Sequence, residues 1–163
     1  MPEIKFFRDN ISLMEDRKIK PRVRLIVIKN GKILLSYVKS EDFYFYIGGK
    51  MEWGETIENA CIRETREECD AEFKFGKIIY VRDYIKPEQE EHSIELYVLG
   101  DIDKFEEVDG RRDEEFNGDH WQTWVDLDKL DQIDVRPKSL IKQILKDYKE
   151  GFKQGAVYLG EID

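Results

Sequence analysis

At 163 residues and 19.5 kDa the chain is long enough to bury one full core, and two independent domains would each be small. Hydrophobic residues make up 40% and charged residues 39%, which suits a folded globular chain and excludes a fibrous or wholly disordered one. A net charge of −9 argues against nucleic acid as a partner, and no apolar run approaches the ~20 residues needed to span a membrane.

Met1 to Pro21 is charged and mixed, either an N-terminal arm or an extra strand, and its first residues lack the apolar stretch of a signal peptide, so the expected compartment is the cytoplasm. Arg22 to Ile28 and Lys32 to Val38 read as strands, and Asn30-Gly31 between them signals a hairpin, because both central residues of a type I′ turn need positive φ. Phe43 to Ile47 is an aromatic cluster that serves either as strand and core filler or, in part, as the lining of a base-stacking pocket. Glu55 to Cys69 is rich in helix formers and free of Gly and Pro, which predicts a helix. Thr56 and Asn59 are only a partial capping box. Cys61 and Cys69 would sit about two turns apart on that helix, too far for a disulfide, so both are expected as reduced, partly buried thiols.

Phe75 to Ile85 and Ser93 to Leu99, separated by the polar loop Lys86 to His92, predict an antiparallel pair. Asp101 to Asp119 is acidic and poorly periodic, a long surface loop of a length more often functional than decorative. Trp121 to Val125 reads as a short strand, Asp126 to Asp131 as a turn, and Pro137 as the opening of a helix that runs to about Tyr148. Gly151 to Asp163 is expected to be a loose tail. The expectation is one α/β (α+β) domain over residues 1–163, with a mixed, mostly antiparallel-paired sheet between helices.

Gly48-Gly49-Lys50-Met51-Glu52-Trp53-Gly54-Glu55 leads directly into a helix bearing Arg63-Glu64-Thr65-Arg66-Glu67-Glu68. Residues three and four apart share a helix face, so Glu64, Glu67 and Glu68 fall on one stripe while Ile62, Thr65 and Cys69 offer a mildly apolar one. Crowded carboxylates repel one another unless a cation offsets them, and hard oxygen ligands of this kind suit a divalent ion. The alternative is a solvated face held by ordinary pairs such as Arg63 with Glu67 and Arg66 with Asp70. Glycines ahead of the helix let the backbone turn sharply and bring a carbonyl close to a metal or phosphate.

Gly49, five residues, Glu55, seven residues, then the Arg63 to Glu68 run resembles the Nudix box, over the 23 residues from Gly49 to Ala71. Thr65 and Ala71 stand where that pattern has bulky aliphatic residues, and Asp70 stands in place of its last glycine. The resemblance implies a Nudix-like α/β/α sandwich and a pyrophosphohydrolase that cuts a diphosphate linkage in a nucleotide-like small molecule by water attack. It implies that Glu64, Glu67 and Glu68, with the Gly49 carbonyl, bind magnesium or manganese, that Glu64 and Glu67 serve catalysis, and that Arg63 and Glu55 brace the loop and helix by an ion pair. Another carboxylate would come from outside the box, with Glu115 preferred, Glu114 beside it, and Glu88, Glu90 and Glu91 as the alternative loop. Arg22, Arg24 and Lys50 are candidate phosphate contacts, and His92 and His120 are read as structural or exposed. Two other functions compete: a Nudix-like module that binds without cutting, which loss of box glutamates would favour, and a prenyl-diphosphate isomerase, which needs a cysteine outside the box and finds none in Cys61 or Cys69. Pro87, about sixteen residues beyond the box, is loosely associated in the family with ADP-ribose-type substrates, and homodimers are frequent in it.

Overall fold

The computed structural model describes residues 17–110 and 117–163. Its first hairpin turns at Asn30 (φ 53) and Gly31 (φ 72), the positive values expected of an Asn-Gly turn, and joins β1 (Lys20–Lys29) to β2 (Lys32–Val38). That antiparallel pairing covers only Ile28 with Ile33 and Lys29 with Lys32. Before it, β1 pairs in parallel with β6 (Glu91–Ile102) on one side and antiparallel with β4 (Gly48–Lys50) on the other. Two parts of the sheet therefore diverge from β1.

On one part, β6 pairs antiparallel with β5 (Phe73–Lys86), and β5 pairs in parallel with β9 (Val157–Glu161). On the other, β2 lies between β3 (Phe43–Tyr46) and β7 (His120–Asp126), both antiparallel to it, and β8 (Val135–Arg136) runs parallel to β3. The sheet is mixed, as expected from sequence, and a helix covers each face. Alternation along β1 shows how: Val23, Leu25 and Val27 enter the core that also holds Ala60, Cys61 and Cys69 of α1 (Ile57–Cys69). Ile26, from the other face, joins the core that holds Leu140, Ile141 and Ile144 of α2 (Leu140–Lys149).

The box helix begins at Thr56, whose hydroxyl accepts a hydrogen bond from the Asn59 backbone N–H at 3.1 Å, one half of a capping box worth about 1 kcal/mol. Its exit residue Asp70 takes the left-handed conformation (φ 50, ψ 42) and returns its N–H to the Arg66 carbonyl, so an aspartate does there the work of the usual glycine. Thr65 is fully buried and satisfies its hydroxyl by donating to the Cys61 carbonyl at 2.8 Å, which explains how a polar residue occupies an apolar position. Burial raises the Cys61 thiol to about 12, which leaves it an inert core residue.

Three expectations need correction. Residues 151–163 are not loose as a whole: β9 pairs with β5, Val157 and Leu159 pack into the α2 core, and the Lys77 ammonium donates to the Phe152 and Gln154 carbonyls. Pro137 does not open the second helix: Val135 and Arg136 are held extended against β3, residues 137–139 form a turn, and the helix starts only at Leu140. Arg66 pairs with Glu72 at 2.9 Å rather than with Asp70. The Asp101 to Asp119 stretch is also shorter as a loop than its composition suggests, since β6 runs to Ile102 and Val108 is buried in the α1 core. Among the described residues no helix is long and apolar enough to cross a membrane.

Candidate active site

Every substitution of Gly48 meets the backbone: a Cβ there would stand 2.0 Å from the Val23 carbonyl oxygen, and its φ of +131 is one that other residues rarely adopt. This fixes β4 tightly beside β1 and directly under the box helix. A Cβ at Gly49 would lie 2.7 Å from Glu64 Oε1, so the missing side chain is what lets the Glu64 carboxylate approach the strand. Glu68 reaches the same strand, where its Oε2 accepts from the Gly48 N–H at 3.2 Å.

Glu64 is 7% exposed, and burial raises its pKa although the Arg63 guanidinium beside it pulls the other way. That one guanidinium serves many acceptors. It donates to Glu55 through Nε (2.7 Å) and Nη2 (3.1 Å), to Glu64 (2.9 Å) and Glu67 (3.2 Å) through Nη1, and to the Lys50 carbonyl (2.9 Å). The bond from Arg63, with the Glu52 N–H, holds Glu55 below the usual carboxylate range. Arg63 and Glu55 thus tie the glycine loop to the helix. Among the described residues the acidic side chains are not gathered into a ready metal cage, since Arg63 lies between Glu64 and Glu67 and Glu68 turns to Gly48. The donor set nevertheless fits a divalent ion: all oxygens, one of them a buried carboxylate whose nearest cation is shared, beside a glycine that leaves room.

Across β4 lies a cavity of about 720 Å³ on the α2 face of the sheet. Arg22 and Arg24 alternate with the core residues of β1 and both line it, with Phe43, Phe45 and Tyr84 among its walls. Arg22 is held by Ser93 (3.0 Å) and Glu91 (3.1 Å). Arg24 pairs with Glu95 at 3.1 Å and reaches the Tyr46 carbonyl, and the charge of Glu68 on α1 also acts on it, which links the cavity to the box. Glu95 is buried, yet Arg24, Arg82 (2.8 Å) and the Tyr97 hydroxyl (3.0 Å) outweigh that burial and lower its pKa. Sequence reasoning missed Arg82 and Glu95. The signal was present, with Glu95 the lone charge of the run Ser93 to Leu99 and Arg82 beside Asp83 inside the run Phe75 to Ile85, but their pairing spans the sheet and not the sequence.

The other anticipated residues fall apart. Lys50 is exposed, and its contribution to the loop is its carbonyl. Glu91 is committed to Lys20, Arg22 and Ser93, which against the pull of burial hold it down at about 2, a poor base; Glu88 and Glu90 are exposed. His120 packs edge-on against Phe45 at 5.9 Å. Glu114 and Glu115 lie outside the described residues.

A glycine-fixed strand under a carboxylate-bearing helix, set in a mixed sheet with a helix on each face, defines a Nudix-type domain. The NUDIX domain model matches residues 19–144, most of the chain, and the chain belongs to that family. The structure is similar to that of a MutT NUDIX hydrolase from Burkholderia pseudomallei (TM-score 0.63, 23% identity, covering 77% of this chain and 97% of that one). It is also similar to a UDP-X diphosphatase (TM-score 0.63, 17% identity, 85% and 66%) and to an ADP-ribose pyrophosphatase from Streptococcus suis (TM-score 0.58, 12% identity, 88% and 100%). At these identities the likeness carries the fold and leaves the substrate open.

Proposed function

We propose that this protein is a metal-dependent pyrophosphohydrolase that cleaves a diphosphate linkage in a nucleotide-like small molecule by attack of water. The observation that supports this most is Glu64, a buried carboxylate whose nearest cation is shared and whose pKa burial raises, pressed against Gly49, where the strand has no Cβ. Glu64, Glu67 and Glu68, with the Gly49 carbonyl, would hold magnesium or manganese. When bound, the ion supplies neutralisation of the bridging phosphates and a water of lowered pKa.

The chain's own residues supply position. Arg63 and Glu55 hold the loop against the helix so that the carboxylates and the Gly49 carbonyl keep one geometry. Arg24 and Arg22 face the cavity where the remainder of the substrate would lie, and Phe45 offers a ring for a base. Glu115 is the proposed outside carboxylate that takes the proton of the attacking water, with Glu114 as its neighbour. Both UDP-X and ADP-ribose appear as substrates in the names of similar structures, and Pro87 favours starting with ADP-ribose.

The test is a panel of nucleoside triphosphates, nucleoside diphosphate sugars and dinucleotides with magnesium, scored by mass spectrometry of the products. Metal-dependent cleavage between two phosphorus atoms of at least one member is expected, and stoichiometric binding without cleavage across the panel would overturn the reading in favour of a binding module. Glu115→Gln is expected to slow turnover; a rate equal to wild type would move the base to Glu114 or to the Glu88 and Glu90 loop.

A further inference from the structure

The cavity is cationic although the chain is acidic. Its lining holds six Arg or Lys side chains against three Asp or Glu, in a protein of net charge −9. Two of those acids are already matched inside: Glu91 by Arg22 and Lys20, and Glu95 by Arg24 and Arg82. What remains is a rim made of Lys86, Arg136 and Lys138.

Arg136 lies flat over the Phe43 ring, 3.9 Å from its centre, and has Asp134 at 3.0 Å and Glu41 at 3.8 Å on its outer side. Lys138 makes no ion pair among the described residues. Lys86 has one acidic neighbour, the Asp163 carboxylate at 3.7 Å, and that side chain is 94% exposed. Asp163 is tethered at its backbone, where its carbonyl accepts from the Ser139 N–H at 2.9 Å. It therefore bridges the Lys138–Ser139 turn to the end of β5, and its solvated carboxylate, 3.7 Å from Lys86, lines the same cavity as Lys138. Two lysines on one cavity, with a single solvated carboxylate paired to one of them, leave a surplus of positive charge at the rim, and a dianion matches it better than a monoanion.

We propose that the Lys86, Arg136 and Lys138 rim seats a phosphate monoester that the substrate carries remote from its scissile linkage, in the place where Asp163 now stands. The placing of the scissile linkage rests on the pyrophosphohydrolase reading; the rim does not. The substrate class is then a diphosphate compound with a third phosphate on its nucleoside end. Its base and sugar lie among Phe43, Phe45 and Tyr84, and a volume of about 720 Å³ accommodates them.

The test separates the rim from the chemistry by using no metal and no scissile bond. Adenosine 2′,5′-bisphosphate and AMP differ by one phosphate, and calorimetry in EDTA is expected to show the bisphosphate bound about tenfold more tightly by the wild-type protein. Lys86→Ala with Lys138→Ala should bring the two affinities to within about twofold of each other, with AMP binding and melting temperature unchanged, since Lys138 is exposed and half-buried Lys86 has, among the described residues, only a solvated carboxylate as its ion-pair partner. Asp163→Asn should strengthen bisphosphate binding severalfold by removing the competing carboxylate. Equal affinities in the wild type, no binding of either probe, or a preference that survives the double substitution overturns the proposal. A preserved preference in a protein that cleaves no diphosphate would instead remove the activity and leave the rim standing.

Discussion

Glu64 on the box helix and Glu95 in the cavity are buried to nearly the same degree, 7% and 4% exposed, on opposite faces of one sheet. Their compensation differs. Glu95 accepts from two guanidinium groups that pair with no other carboxylate among the described residues, and from a tyrosine hydroxyl, and its pKa falls despite burial. Glu64 shares a single guanidinium with Glu55, Glu67 and a carbonyl, and its pKa rises. Burial alone therefore says little about role. The guanidinium groups bonded to a carboxylate separate one that is fully paired within the fold from one, proposed above as a metal ligand, that is not.

The contrast is broken most severely by removing the under-compensated charges. Glu64→Gln or Glu68→Gln should lower metal-dependent turnover about a thousandfold. The melting temperature in EDTA should not fall for Glu64→Gln, because a desolvated charge is lost, while the rise in melting temperature on adding magnesium should disappear. Glu95→Gln should do the reverse, costing about 3 kcal/mol in denaturant unfolding by leaving Arg24 and Arg82 buried without a counter-charge. A stable Glu95→Gln protein would erase the distinction drawn here. Arg63→Lys should reduce turnover by about thirtyfold with a smaller loss of stability, since an ammonium cannot replace the fork that grips Glu55 twice and still reaches Glu64 and Lys50.

The smallest effect concerns acid. Glu91 is held at about 2 in the folded chain against an ordinary 4.5, so its stabilising pairs with Lys20 and Arg22 are fully present above about 4.5 and are lost as pH falls toward 2. Melting curves between those limits should fall less steeply for Glu91→Gln than for wild type; parallel curves would show that the pairs carry no stability.

The box was legible because it is continuous: a glycine turn, a capped helix and a carboxylate stripe are all encoded within Gly48 to Asp70, where spacing translates directly into geometry. The cavity was not. Arg24 meets Glu95 across 71 residues and Arg136 meets Phe43 only because β8 runs parallel to β3, pairings that no local pattern specifies. The strand β9 was misread for a related reason. Gly151 and Gly155 make its approach look loose, whereas the strand is secured by what lies beside it, β5 and the Lys77 ammonium. The hairpin and the antiparallel β5–β6 pair, closed by short local turns, were anticipated.

Trp53 stands at the tip of the glycine loop, fully exposed, while the loop is gripped on either side by Arg63 at the Lys50 carbonyl and at Glu55. Of the three tryptophans, Trp121 is partly covered and Trp124 is buried, so a collisional quencher such as iodide would reach Trp53 first. The molecule thus contains its own optical probe on the loop that Arg63 ties to the acidic stripe, and the proposed binding of an ion there can be followed by fluorescence without attaching a label.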